Sequence, residues 1–470
     1  MHAPLSLTAL WLVATATMAT AMPTVILGRP THRAITLNIR PEAPSECYVE
    51  YGTGADALEQ QSSRVTGDSA LPAELTLDEL STDTRYFYRL QCRPARSQSS
   101  FEAGELHTFH TQRAAGARFT FAAQGDSHPE REHKMFSPDL YRQTLDAVAA
   151  DQPDFFFTSG DDFSVDTLRT HTRETVTERY TLQVPYLARM AHSTPLMLVN
   201  GNHEQAARYL LDGTPNNVAV WAQTARNRFF PQPAPDGFYS GNDEVVPHIG
   251  PLRNYFAWEW GDALFVVIDP YWSSPVAVDG ALGSRSGKSS DRWDITHGDA
   301  QYAWLKQTLE DSRARWKFVF AHHVMGSGRG GVEIASQYEW GGRTTGGRWE
   351  FDSERPDWPL PIHQLFVTTG VTIFFQGHDH LFARQELDGV IYQSLPNPAD
   401  DTYTAFNRDA YQTGDVLPNA GYVRVHVSPD DVRVEYVRQY LPQDEHEGQR
   451  SGDVAFSYTI PASSPRILRR

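Results

Sequence analysis

The sequence predicts two folded parts in series, an all-β sandwich and then a layered α/β domain, and three observations carry that prediction. Residues 24–114 alternate short strand-like runs with turn clusters and hold no convincing helical period. From residue 117 the pattern changes to apolar strands separated by helical stretches, which is how a layered α/β domain reads. Within that second part, five short clusters rich in Asp, Asn and His each stand at the end of an apolar run. In α/β sheets ligands sit at the carboxyl ends of strands, so such clusters would converge on one place.

The chain begins with an apolar, small-residue run at 5–21 (LSLTALWLVATATMATA) that ends in Ala19-Thr20-Ala21. It is short for a membrane span and its end resembles a signal-peptidase site, so residues 1–21 read as an export signal. No lipidation Cys follows the run, and no later stretch reaches the roughly 18 apolar residues of a spanning helix. The expectation is an exported protein, secreted or periplasmic, with no membrane span. At 470 residues, 40% hydrophobic and 12% aromatic, the chain is long enough for several domains with a sizeable core. Its formal charge of −17 argues against nucleic acid or an anionic membrane as partner. An acidic protein that handles anions must build local positive charge, and bound metal would do so.

In order, the sandwich strands fall at 34–39, 47–51, 74–77, 86–92 and 104–111, and Arg113-Ala114-Ala115-Gly116-Ala117 reads as a linker. The second part, 117–445, offers buried strands at 118–124 (RFTFAAQ), 154–159 (DFFFTS), 195–200 (PLMLVN), 317–321 (KFVFA) and 371–376 (VTIFFQ). Helical patterns lie at 137–150, 172–190 and 299–311, the last with Tyr302, Trp304, Leu305 and Leu309 on one face. A Pro-, Gly-, Trp- and Tyr-rich insert between His203 and His322 contains one clear strand, 263–268, and is placed to shape the mouth of a site. Residues 422–440 suggest a hairpin around Pro429-Asp430-Asp431, and 446–470 read as a C-terminal tail.

The clusters are Gly125-Asp126-Ser127-His128, Gly160-Asp161-Asp162, Gly201-Asn202-His203-Glu204, His322-His323 and Gly377-His378-Asp379-His380. Carboxylate, amide oxygen and imidazole together suit iron, zinc or manganese, whereas calcium would take oxygen alone. Asp126, His128, Asp161, Asn202, one of His322 and His323, His378 and His380 make seven ligand candidates. Seven are too many for one open tetrahedral site and suit two ions sharing a carboxylate. Neighbours on a continuing strand point to opposite faces, so one His of the pair faces inward, and its position after FVFA favours His322. Glu204 and Asp379 read as partners that orient imidazoles. One of Arg329, Arg343 and Arg348 could reach a phosphate, although an exposed arginine is the ordinary outcome.

With these residues the chain resembles the calcineurin-like metallophosphoesterases, and its front segment makes it most similar to purple acid phosphatases. That segment resembles a fibronectin type III domain, with Leu80 and Tyr86 in LSTDTRYFYRL matching a tyrosine corner. The resemblance implies two stacked β-sheets flanked by helices around a dinuclear centre. By motif, Asp126, His128 and His380 would hold one metal, Asn202, His322 and His378 the other, and Asp161 would bridge them. His203 would be the substrate-binding or proton-donating histidine. Two cations about 3.5–4 Å apart can deprotonate a bridging water and neutralise a phosphoryl group. Ser164 departs from the purple enzymes, which carry a metal-binding tyrosine there, and from the protein phosphatases, which carry an aspartate that polarises the catalytic histidine. If Cys47 and Cys92 lie on the C and F strands of a fibronectin-like sandwich, they face each other and form a disulfide. The expected activity is hydrolysis of small phosphate mono- or diesters. The alternatives are an extracellular binding or matrix protein on a degenerate scaffold, and a nucleotide or nucleic-acid phosphodiesterase.

Overall fold

The computed structural model describes residues 21–279, 282, 291–326 and 328–462. The expected export signal lies, save Ala21, outside the described residues. The front domain is built from β1 (Thr24–Gly28), β2 (Ile35–Arg40), β3 (Ser45–Gly52), β4 (Ala73–Leu77), β5 (Arg85–Pro94) and β6 (Glu102–His110). Antiparallel β1-β2-β4 faces a second sheet of β3, β5 and β6, to which the short strands Gln60–Gln61 and Val65–Gly67 add. Alternation sets the core: Leu75 and Leu77 of β4 and Tyr86, Tyr88, Leu90 and Cys92 of β5 point inward. The corner forms as expected, with the Ser81 amide donating to Tyr86 Oη at 2.9 Å. Cys47 stands opposite Cys92 in register and bonds to it. Closing a loop of 45 residues stabilises the domain by about 4 kcal/mol in the chain-entropy account.

β1 has no alternating pattern, because both of its faces are covered. One faces the sandwich core, and Ile26 on the other enters the core of the second domain. The two domains are joined by further ties. Tyr88 Oη donates to the His192 carbonyl at 2.6 Å, and Asn38 Nδ2 donates to the Arg228 carbonyl at 2.8 Å. Arg113, at the start of the linker, makes a bidentate pair with Asp154, which also accepts from Trp260 Nε1.

The second domain has two stacked sheets. Its elements are β7 (Phe119–Gln124), α1 (Pro138–Asp151), β8 (Phe156–Thr158), α2 (Arg173–Thr181), α3 (Val184–Ala191), β9 (Leu196–Leu198), α4 (Val218–Phe229), β10 (Phe256–Trp260), β11 (Ala263–Val267) and α5 (Asp299–Asp311). They continue with β12 (Trp316–Phe320), α6 (Ile362–Thr369), β13 (Ile373–Gln376), β14 (Phe382–Leu387), β15 (Val390–Ser394), β16 (Gly421–Val427), β17 (Asp431–Arg438) and β18 (Val454–Pro461). One sheet runs β9-β8-β7-β16-β17-β18, parallel over its first three strands. The other runs β10-β11-β12-β13-β15-β14, flanked by the short strands Ser240–Gly241 and Asp415–Leu417. Between the sheets lies an aromatic core in which Phe157 stacks on Phe320 at 3.8 Å and Phe320 on Phe375 at 4.7 Å between ring centroids. Helices α1 to α4 cover the outer face of the first sheet, and α5 and α6 that of the second. No helix among the described residues is long and apolar enough to cross a membrane.

Two expectations are corrected. The single helix over 172–190 is two, because Pro185 in the first turn of α3 cannot extend the hydrogen-bond ladder of α2, and the chain breaks at Leu182-Gln183. The tail at 446–470 contains β18, the sheet's edge strand, paired with β17 from Pro461↔Asp431 to Val454↔Val437. Its Phe456, Tyr458 and Ile460 pack half-buried against the core while the alternate positions stay exposed, as befits a sheet edge.

Candidate metal centre

The five clusters leave the carboxyl ends of β7, β8, β9, β12 and β13, and the stacking of the two sheets brings those ends together. Phe157, Phe320 and Phe375 lie directly beneath the turns that carry Asp161, His322 and His378, so the aromatic stack sets the spacing above it. The turns are sharp. His128, Asp161, His378 and His380 have φ of 48°, 58°, 67° and 58°, a left-handed backbone that costs a non-glycine residue about 1 kcal/mol or more. Packing is equally tight: a Cβ at Gly377 would lie 2.4 Å from Asp126 Oδ1, and one at Gly201 would lie 2.2 Å from Asp161 Oδ1.

Each buried aspartate is half committed. Asp126 Oδ1 accepts the His378 amide at 2.7 Å and Asp161 Oδ1 accepts the His203 amide at 2.9 Å, which leaves each Oδ2 facing imidazoles. Around Asp126 Oδ2 stand the Nε2 atoms of His380 at 3.0 Å, His128 at 3.9 Å and His322 at 4.0 Å. Around Asp161 Oδ2 stand those of His322 at 3.0 Å, His203 at 3.7 Å and His128 at 4.0 Å. Asn202 Oδ1 lies 3.0 Å from His322 Nε2, its amide turned that way because Nδ2 donates to the Asp279 carbonyl. His378 Nδ1 lies 3.1 Å from His322 Nε2. The ligand atoms of Asp126, His128 and His380 fall within 4.8 Å of one another, as do those of Asp126, Asp161, His322 and His378. These sets share Asp126, and His128 and Asp161 form another with His203. Crowded lone pairs of this kind, backed by fixed donors, fit metal ions.

The surroundings fix the rings. His322 Nδ1 donates to the Ser159 carbonyl at 2.8 Å, which leaves Nε2 free as a ligand atom. His128 Nδ1 is held by Ser164 Oγ at 3.0 Å and Glu130 at 3.2 Å. Glu204 does not orient an imidazole as expected: it accepts the amides of Asp162, Phe163 and Gly201 and so ties two ligand turns together. Asp379 likewise takes the Gly330 amide, Tyr411 Oη and Arg329. His323 is buried beside His322, because the chain has left β12 and strand alternation no longer separates the two. Its ring stacks on that of His378 at 4.1 Å, and its Nδ1 meets Tyr271 Oη at 2.6 Å.

Electrostatics follow from burial and opposed charge. Burial works against a charged His322, yet Asp161 and Asp126 outweigh it and raise that imidazole to about 10. Burial lowers His203 too, but Asp161 and Asp166 lift it to about 9. Burial alone dominates at Asp162, whose carboxyl rises to about 7.

All eight anticipated residues, Asp126, His128, Asp161, Asn202, His203, His322, His378 and His380, meet in this one place. Of the three arginines, Arg329 reaches the His378 turn, Arg343 lies over Trp349 and Arg348 pairs with Glu350. Three residues the sequence did not single out also belong here. Asp166 lies 2.8 Å from His203 Nδ1, Glu130 supports His128, and Arg131 Nη2 lies 3.3 Å from His203 Nε2. Their sequence signal is no more than closeness to a ligand, which turn residues share.

Among solved structures, the chain is similar to PhoD, with a TM-score of 0.65 and 14% identity over 95% of this chain and 92% of that one. It is similar also to purple acid phosphatase PPD1 from yellow lupin (Lupinus luteus) seeds, with a TM-score of 0.58 and 15% identity over 94% of this chain and 74% of that one. At these identities the likeness is one of fold, and it extends to the fibronectin-like front domain. No curated protein sequence matches the chain. The model of the calcineurin-like phosphoesterase family matches residues 119–382, which span all five clusters, and the chain belongs to that family of metal-dependent phosphoester hydrolases.

Proposed function

We propose that this protein is an exported dinuclear phosphoesterase that hydrolyses small phosphate mono- or diesters. The observation that carries the reading is the pair of ligand groups that share Asp126, one of them also holding Asp161, each carboxylate with one oxygen taken by a backbone amide and the other turned to imidazoles. Asp126, His128 and His380 would hold one ion, Asn202, His322 and His378 the other, and Asp161 both. Two such cations would supply the charge that activates water and neutralises the phosphoryl oxygens. In the hydrolysis, water oxygen bonds to phosphorus, the bond to the ester oxygen breaks, and the departing oxygen takes a proton. His203 is suited to give that proton from Nε2, because Asp166 engages Nδ1 and Asp161 attracts the charge. Export is supported by the disulfide, which an oxidising compartment preserves.

Elemental analysis should find close to two transition-metal ions per chain. Asp161→Asn should drop metal content and abolish nearly all turnover of p-nitrophenyl phosphate and bis(p-nitrophenyl) phosphate, with the front domain still folded. Turnover like that of the unmodified protein in this variant would overturn the dinuclear reading.

A further inference from the structure

Arg131 ends a short turn that leaves the ligand His128, its amide donating to the His128 carbonyl at 2.9 Å. Its guanidinium is a quarter exposed and is held from behind: Nε donates to Glu130 at 3.1 Å, and Nη1 lies against Met135 Sδ. Glu130, almost wholly buried, is fixed in turn by His128 Nδ1 at 3.2 Å and by Arg179 at 3.6 Å. The remaining arm, Nη2, is aimed at His203 Nε2 at 3.3 Å, and that nitrogen is 3.7 Å from Asp161 Oδ2. His203 is anchored the same way, with its other nitrogen on Asp166. Two nitrogen prongs, each with a carboxylate behind it, thus converge beside the carboxylate proposed to bridge the metals. Arg329 differs, since its Nη1 is tied to the His378 carbonyl and to Asp379.

Resting on the phosphoesterase reading above, we infer that Arg131 is a substrate-binding residue that grips a charged phosphoryl oxygen beside His203 and selects phosphate monoesters over diesters. A monoester dianion has three non-bridging oxygens sharing two charges, whereas a diester has two sharing one. In a diester the third oxygen carries a carbon substituent and no charge. A guanidinium fixed at that third position gains a charge-assisted hydrogen bond from a monoester and meets an uncharged ester arm in a diester.

The test uses the metal-loaded full chain and its Arg131→Met and Arg131→Lys variants. Metal content is measured, then kcat/KM on p-nitrophenyl phosphate and bis(p-nitrophenyl) phosphate, then binding of inorganic phosphate by calorimetry. The inference expects Arg131→Met to lose at least about 30-fold more on the monoester than on the diester, and phosphate to bind at least about 10-fold more weakly, figures that correspond to one charge-assisted hydrogen bond. Arg131→Lys should recover part of both, with two metals retained. Equal losses on both substrates, unchanged phosphate binding, or loss of metal from both variants would overturn it, showing that Arg131 serves only to frame Glu130 and His128. Failure of the underlying reading looks different: the unmodified, metal-loaded protein would hydrolyse neither substrate.

Discussion

Asp166 stands five positions beyond Asp161 and 2.8 Å from His203 Nδ1, so it supplies the carboxylate that Ser164 cannot. Ser164 instead supports the ring of His128. An imidazole anchored at Nδ1 presents Nε2 in one direction, which is what a proton donor requires. Asp166→Asn should therefore lower kcat by roughly 10- to 100-fold, a part of the 10²–10⁴ that a positioned acid contributes. Metal content should stay near two ions, because Asp166 is in no ligand group among the described residues. Loss of metal, or an unchanged kcat, would show that the contact is merely structural. The proposed ligands were legible in the sequence because each is an Asp, Asn or His just past the end of an apolar strand. Asp166, Glu130 and Arg131 were not, because their roles depend on where the chain turns after the strand, and left-handed residues such as His128 and Asp161 give no advance sign of that path.

Gln183 shows how an element break serves the site. It lies in the gap between α2 and α3, fully buried, and its Nε2 donates to Ser127 Oγ at 2.6 Å and to the Asp162 carbonyl at 3.0 Å. Ser127 in turn donates to Asp162 at 2.6 Å, so one glutamine links two ligand turns from below. Gln183→Leu keeps the volume and strands the Ser127 and Asp162 acceptors, which should cost about 1–3 kcal/mol. Urea unfolding measures this, and a variant as stable as its parent would mean that the brace contributes nothing. Pro185 was the one signal of the break, and the continuous helical pattern over 172–190 masked it; the burial of Gln183 had no signal, since a polar residue between helices ordinarily faces water. β18 and β1 escaped for opposite reasons, one being an exposed edge and the other covered on both faces.

At the scale of the whole molecule, the seam between the domains carries a histidine pair whose protonation opposes folding. His107 of β6 and His192 at the end of α3 stack with ring centroids 4.2 Å apart, and His107 also leans on Tyr88, whose hydroxyl holds the His192 carbonyl. Both rings are half-buried. Burial first, and His192 second, lower the His107 imidazole to about 4, and burial lowers His192 as well, against the opposing pull of the Arg189 backbone and of Glu105. In the unfolded chain the same rings titrate near 6.5. Between these values the unfolded chain binds a proton that the folded seam refuses, so stability falls as pH drops from about 6.5 to about 4 and levels off below. Allowing for partial solvent access, His107 accounts for roughly 1–2 kcal/mol of that fall. Other groups titrate over the same range, so the informative quantity is a difference. Urea unfolding of the parent and of His107→Gln, followed from pH 7 to pH 4, should show the parent losing about 1–2 kcal/mol more than the variant. Curves that stay parallel would mean that His107 accepts its proton in the folded seam as readily as in water, and that the junction is not acid-sensitive through this pair.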